Sequence, residues 1–238
     1  QVSTVILERF KYSIVLMLVA WCFSGIVGFL IGVLAGIYKG SLFDKIVKIF
    51  CLALQSAPTF WIGLLILSLF SVYLGWFPIG FAVPMGKLSL EITIWDRIYH
   101  LILPALTLSI LGISRVTLFT RQKLIEILNS DFILFAKARG ENTRQLVIRH
   151  GLRNIALPAI TEQFASFSEL FGGIALAETV FSYPGLGTAT TAAGLNGDVP
   201  LLLGIAIFSA IFVFVGNFIA NILYGVLDPR LKEGKYNG

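Results

Sequence analysis

Three glutamates, Glu162, Glu169 and Glu178, interrupt the apolar run from Ile155 to Val180. Carboxylates are costly inside a bilayer, so acids kept there face a protein interior or a water-filled path. Glu162 and Glu169 stand seven residues apart, two turns of a helix, and Ser166 shares their face. Acids so placed suit the positively charged group of a substrate moving along a path. The alternative is that they are satisfied by hydrogen bonds between helices or near the membrane surface. Arg115, in the preceding apolar run, is a candidate partner for them, or it snorkels towards the cytoplasm.

Other chemistry is scarce. No G-x-x-x-x-G-K-[ST] phosphate loop occurs, so ATP binding by that route is excluded. The two histidines, His100 and His150, stand in no metal-ligand spacing and beside no serine or cysteine nucleophile. Cys22 and Cys51 fall in or beside apolar runs and read as small buried hydrophobes, not as a disulfide framework. No catalytic residue, no metal ligand and no cofactor on this chain are expected.

The stretch from Asp131 to Ile160, DFILFAKARGENTRQLVIRHGLRNIALPAI, is of another kind. Lys137, Arg139, Arg144, Arg149 and Arg153 must lie outside the hydrocarbon, yet Phe132, Ile133, Leu146, Val147 and Ile148 are apolar. Short helices that leave a membrane with an apolar stripe have something to press against, so a docking surface for a soluble partner is expected here.

These residues need a membrane scaffold to hold them. With 57% hydrophobic residues, 13% charged and a mean hydropathy of +0.87, the chain is an integral membrane protein. Runs of about 20 or more apolar residues recur at 13–38, 46–74, 100–120, 155–180 and 201–227. They are continuous and rich in Leu, Ile and Phe, which disfavours a barrel of alternating strands. An all-α, polytopic transmembrane helical bundle with five spans is expected.

The net charge of +5 is a topology signal and not a sign of nucleic-acid binding. Segments 39–48, 121–153 and 228–238 hold thirteen of the eighteen Lys and Arg residues, which marks them as cytoplasmic. The alternation places the amino terminus outside and the carboxyl terminus inside. A chain beginning at Gln1 without a signal peptide then implies an amino-terminal helix missing from this sequence. Pro58, Pro104 and Pro158 are expected to kink or begin helices, and Gly172 and Gly173 to allow close packing. The segment Phe181 to Gly187, FSYPGLG, reads as an outer turn, followed by a short surface helix over 188–194 beside an external vestibule.

Taken in order, these blocks resemble the permease subunits of binding-protein-dependent ABC importers, in the dipeptide, oligopeptide and nickel branch. That family has a cytoplasmic Glu-Ala-Ala-x-x-x-Gly loop followed by Ile-x-Leu-Pro. The matching residues are Leu134, Phe135, Ala136 and Gly140, then Ile155, Leu157 and Pro158, and the spelling with Ala136, Ala138 and Gly140 is that of the peptide branch. GSLFDK at 40–45, SAPTFWIG at 56–63, LGWFP at 74–78, HLILPALTL at 100–108, ETVFSYPGLG at 178–187, Asp198 to Pro200 and YGVLDPR at 224–230 carry the likeness across almost the whole chain. Asn221 departs from it, standing where an acid is common.

The resemblance implies a single transmembrane domain over 1–238, six spans in the intact subunit, and a multi-pass place in a bacterial or archaeal inner membrane. It implies an ATPase partner carrying ATP and Mg, an extracytoplasmic binding protein and a homologous second permease in a heterodimer. Coupling to the ATPase falls to Ala136, Ala138, Gly140, Arg144, Arg149, Arg153 and Pro158. Glu162, Ser166 and Glu169 become the substrate path. Glu178, Phe181, Pro184, Gly185, Gly187 and Asp198 become an external gate or binding-protein contact. Short peptides are the expected cargo; nickel or a metal chelate is the alternative, and a secondary transporter or channel would leave the docking loop unexplained.

Overall fold

A computed structural model describes residues 2–87 and 91–227. The side chain of Asn221 and residues 228–238, the expected cytoplasmic tail, lie outside the described residues. Within them the chain is all-α and no strand occurs. Helices α1 (Val2–Ile37), α2 (Leu42–Ser56), α3 (Thr59–Ile66), α4 (Ile94–Leu128) and α5 (Asp131–Ala138) are followed by α6 (Thr143–Gln145), α7 (Leu152–Ala165), α8 (Phe167–Val180), α9 (Leu186–Asn196) and α10 (Val199–Leu227). Leu67–Tyr73 extends α3, and Leu146–Gly151 joins α6 to α7, as wider π-helical turns.

Three of the five expected spans are single helices long and apolar enough to cross a bilayer: α1, α4, and α10 over Val199–Ile219. The other two are broken. At Pro58 the backbone is extended, φ −63° and ψ 136°, as proline's missing N–H and ring sterics favour. The two helices on either side are together long and apolar enough for one broken span or a re-entrant loop. The run 155–180 divides at Ser166, where ψ relaxes to −5° and the Ser166 hydroxyl donates 2.8 Å back to the Gln163 carbonyl. The resulting α7 and α8 have 14 residues each, about 21 Å, and neither alone crosses about 30 Å of hydrocarbon. Pro104 and Pro158 sit inside α4 and α7.

The described residues group into two compact units. One comprises residues 2–22, 57–87, 91–110 and Ser168–Val215. Its core joins Ile6, Leu186, Ala189 and Ile205, with Phe10 edge-on to Phe208 and Phe212 at 4.9 and 5.0 Å. Thr93 caps α4 with a reciprocal bond to Asp96, 2.9 and 3.2 Å, a capping box that satisfies two orphan groups of the helix start.

The other unit comprises Phe23–Ser56, Leu111–Phe167 and residues 216–227. Here α1 and α4 meet backbone to backbone. A Cβ on Gly28 would come 2.8 Å from that of Val116, and one on Gly32 would come 2.7 Å from the Thr117 carbonyl. Thr117 Oγ1 donates to the Gly28 carbonyl across the seam, 3.2 Å. Small residues permit this approach where lipid removes the hydrophobic drive for helix association. Among the described residues the glycines expected to pack closely do not: a Cβ on Gly172 would meet nothing within 4 Å, and one on Gly173 would make an ordinary contact, 3.4 Å, with Leu108.

Candidate functional site

The segment 129–158 folds as a pinned loop of short helices. Helix α5 ends in a left-handed residue, Gly140, at φ +89°. The Gly140 amide bonds the Lys137 carbonyl at 2.9 Å and the Glu141 amide bonds that of Ala136 at 3.2 Å. This is the Schellman closure that favours glycine. Two residues on, Asn142 and Gln145 form a capping box, each bond 2.9 Å. The chain thus turns out of one helix and into the next within four residues.

What turns inward was not the expected stripe. Ile133, Ala136 and Leu146 are buried together against Leu128, and Val147 is buried too. Phe132, Leu134, Phe135 and Ile148 are exposed, Phe135 at 73%. The expectation that Ile133, Leu146 and Val147 face a partner is therefore corrected: these residues build the loop's own core. Ala138, Gly140, Arg144, Arg149 and Arg153 are exposed, and Pro158 is half-buried within α7.

Glu141 organises the charges. Its carboxylate lies 3.1 Å from His150 Nε2, 3.7 Å from Arg149 Nη1 and 3.8 Å from Arg139 Nη2. The His150 ring also meets Phe132 edge-on. Sequence reading passed over Glu141, although an acid beside Gly140 with bases at 139, 149 and 150 was a usable signal. Further along the same unit, Arg121 grips Asp44 through Nε and through Nη2, the latter bond 2.8 Å. Asp44 also accepts the Gly40 amide at 2.8 Å. The Arg121 guanidinium holds the Asp44 carboxyl down at about 2.

The expected external gate is a buried corner. Helix α8 closes through Ser182, a non-glycine residue at φ +47°, with the Tyr183 amide bonded to the Glu178 carbonyl at 2.8 Å. The Glu178 side chain has no exposed surface. Its Oε1 accepts from Ser13 Oγ at 2.5 Å and its Oε2 from the Gly187 amide at 2.6 Å, while Ser13 Oγ accepts the Leu186 amide at 2.9 Å. A carboxylate and a hydroxyl thus satisfy the first orphan amides of α9, where the helix dipole favours negative charge.

Small residues let the corner close. A Cβ on Gly185 would strike the Glu178 carboxylate, and one on Gly187 the Ala175 backbone. Phe181 and Tyr183 are buried; the Phe181 carbonyl accepts the Phe81 amide at 2.9 Å, and His100 Nδ1 lies 2.8 Å from the Gly80 carbonyl. Burial, with Tyr12 and Glu178 nearby, pushes the Tyr183 phenol up to about 12, so it stays neutral. Of the residues assigned to this gate, Asp198 is exposed, Pro184 is half-buried and the others are buried. Asp198 caps α10, its Oδ1 accepting the Leu201 amide at 3.1 Å.

The acids of the expected path stand on two helices. The break at Ser166 puts Glu162 on α7 and Glu169 on α8. Ser166 is buried and committed to the Gln163 carbonyl. Glu162 stands 3.9 Å from Arg115 Nε, and Glu169 is exposed. Among the described residues no group of three or more His, Cys, Asp or Glu is placed to hold a metal ion.

Long apolar helices, broken spans and a short-helix loop define a polytopic helical membrane protein. More narrowly, the chain belongs to the family of binding-protein-dependent transport system inner membrane components, which matches residues 28–233. It is 36% identical over 97% of its length to the oligopeptide transport system permease protein AppB of Bacillus subtilis, covering 72% of that protein. To the di/tripeptide transport system permease protein DppB of Pseudomonas aeruginosa it is 35% identical, over 95% of this chain and 72% of that one. The dipeptide permease DppB of Escherichia coli is 32% identical with the same coverage. The structure of the MetNI methionine ABC transporter in inward-facing conformations matches with a TM-score of 0.75 and 14% identity, over 95% of this chain and 97% of the matched chain. That likeness speaks to fold.

Proposed function

We propose that this chain is the membrane-spanning permease subunit of an ATP-driven, binding-protein-dependent importer, and that it lines the path taken by short peptides. The observation that carries the reading is the identity of 32 to 36% with oligopeptide, di/tripeptide and dipeptide permeases over at least 95% of the chain. The pinned loop supports it. Phe132, Leu134, Phe135 and Ile148 are exposed in a loop that also exposes Arg144, Arg149 and Arg153, a composition suited to an apolar groove with acidic edges.

In this reading a cytoplasmic ATPase, which binds ATP and Mg, receives that loop, and a homologous second permease completes the pathway. A binding protein delivers peptide at the face bearing α9 and Asp198, and the carboxyl terminus is cytoplasmic. Glu162 and Glu169 are assigned to the peptide's amino group. ATP-driven closure of the partner moves the loop as a rigid piece, because its turns are closed by the Gly140 and Asn142 caps and its charges are gathered on Glu141.

The test is uptake by cells with and without the gene, with a labelled short peptide in one assay and labelled nickel, free or chelated, in the other. Loss of peptide uptake alone is expected. Loss of nickel uptake alone would move the cargo to the metal, and loss of neither would remove the peptide assignment.

A further inference from the structure

Helix α7 (Leu152–Ala165) carries three arcs when its residues are set about 100° apart. Ile155, Ala159 and Gln163 form the buried one. Leu157, Ile160 and Phe164 form a second, apolar and at least partly exposed. Asn154, Thr161 and Ala165 form a third, polar or small and also at least partly exposed, with the half-buried Glu162 on its edge.

From that edge Glu162 reaches across to α4. Its Oε1 lies 3.9 Å from Arg115 Nε, and the acid and the base keep 28 and 38% of their side-chain surface exposed. Both residues belong to the same compact unit. Arg115 lies about 9 Å along α4 from Arg121 at 1.5 Å per residue, inside the apolar run 100–120. Charges that keep exposed surface within such a run face water or a protein wall, because hydrocarbon does not take them. The contact is also longer than the roughly 2.7–2.9 Å of a close charge-assisted hydrogen bond, so it is one that a ligand's own charges can replace.

We infer, on the footing of the peptide-importer reading, that the third arc of α7 walls an aqueous path and that Arg115 and Glu162 form a two-ended site on it, the guanidinium for a peptide's free carboxylate and Glu162 for its free ammonium. Charge balance selects the ligand. A dipeptide holds its two charged ends up to roughly 7 Å apart by backbone dimensions, so on entering between the side chains it exchanges one loose ion pair for two. No charge is left without a counterpart. A peptide amidated or acetylated at one end leaves Arg115 or Glu162 against a neutral group, which a partly desolvated wall penalises. Arginine suits the carboxylate end because its planar fork meets both oxygens at once.

The test uses the full-length subunit assembled with its partners in proteoliposomes. In a cysteine-free background, single cysteines are reacted with a charged, water-borne methanethiosulfonate. Thr161→Cys and Ala165→Cys are expected to react about tenfold faster than Ile160→Cys and Phe164→Cys, since thiolate forms where water reaches. Equal rates at all four would take the arc off the path and overturn the inference. Uptake of a labelled dipeptide is then compared with that of its carboxamide and its N-acetyl form. One binding protein serves every variant, so its selectivity cancels in the ratio of variant to parent. Arg115→Gln should lower the preference for the free carboxylate about tenfold, Arg115→Lys should keep most of it, and Glu162→Gln should lower the preference for the free amine instead. Equal losses for all three peptides would give the pair a structural role and overturn the site. A parent complex that takes up none of the three would overturn the peptide reading and the site together, whereas failure of the site alone leaves parent uptake intact.

Discussion

A carboxylate with no exposed surface has to be matched bond for bond, and Glu178 is matched by Ser13 and by the opening amide of α9. Glu178→Ala leaves a hydroxyl and an amide unsatisfied in a buried corner, at a cost of about 2–3 kcal/mol. A clear drop in the melting temperature of the detergent-purified protein is expected. Glu178→Gln, which keeps the shape and an acceptor oxygen, should fall between the two, and melting curves that superimpose for all three proteins would dismiss the corner as a stability element. Asp44 gives a pH signature. Its carboxyl is held at about 2 against an ordinary 3.8, so the native state holds the charged form more tightly than the unfolded chain does. The stabilisation is complete above the ordinary carboxylate pKa and is lost as pH falls from about 4 towards 2. Acid unfolding followed by intrinsic fluorescence should begin at higher pH in Asp44→Asn; an identical acid limb would show that the Arg121 pair contributes nothing.

Helices set the next scale. The seam between α1 and α4 depends on Gly28 and Gly32 being bare of side chains. Gly32→Leu would drive a side chain into the Thr117 carbonyl and Thr120, beyond what rotamer adjustment absorbs. Loss of folded protein in size-exclusion chromatography is expected, whereas Gly172→Ala, with open space around it, should elute like the parent. The reverse result would mislocate the close-packed interface. Legibility differed between elements for physical reasons. The break at Pro58 was legible as a kink because proline cannot donate the helical bond. The break at Ser166 was not, since a serine that turns its hydroxyl onto a preceding carbonyl has the same one-letter signature as one that stays in the helix. That break places Glu162 and Glu169 on separate helices.

Across the whole molecule, the proposed coupling to an ATPase concentrates on one loop, and two variants probe it differently. Phe135→Asp changes only an exposed side chain, so the subunit should fold and melt normally. Co-purification of the ATPase should nonetheless fall at least tenfold, the effect of losing one apolar anchor worth about 1.4 kcal/mol or more. Gly140→Val forces a β-branched residue to φ +89°, straining the turn by about 1–3 kcal/mol, and should lower transport more than binding. Full transport and full co-purification in both variants would place the docking surface elsewhere.

Composition, run length and the spread of Lys and Arg were enough to establish a polytopic helical membrane protein with a basic, partly apolar loop. Those properties follow from what the bilayer demands of any segment, whatever its neighbours. The order of short motifs was enough to place it among binding-protein-dependent permeases. Only the tertiary structure decided which apolar residues of the loop face inward, that Glu141 gathers three bases, and that Glu178 closes a buried corner with a serine 165 residues away. Such assignments depend on which groups meet across helices, and spacing along one chain carries no record of that.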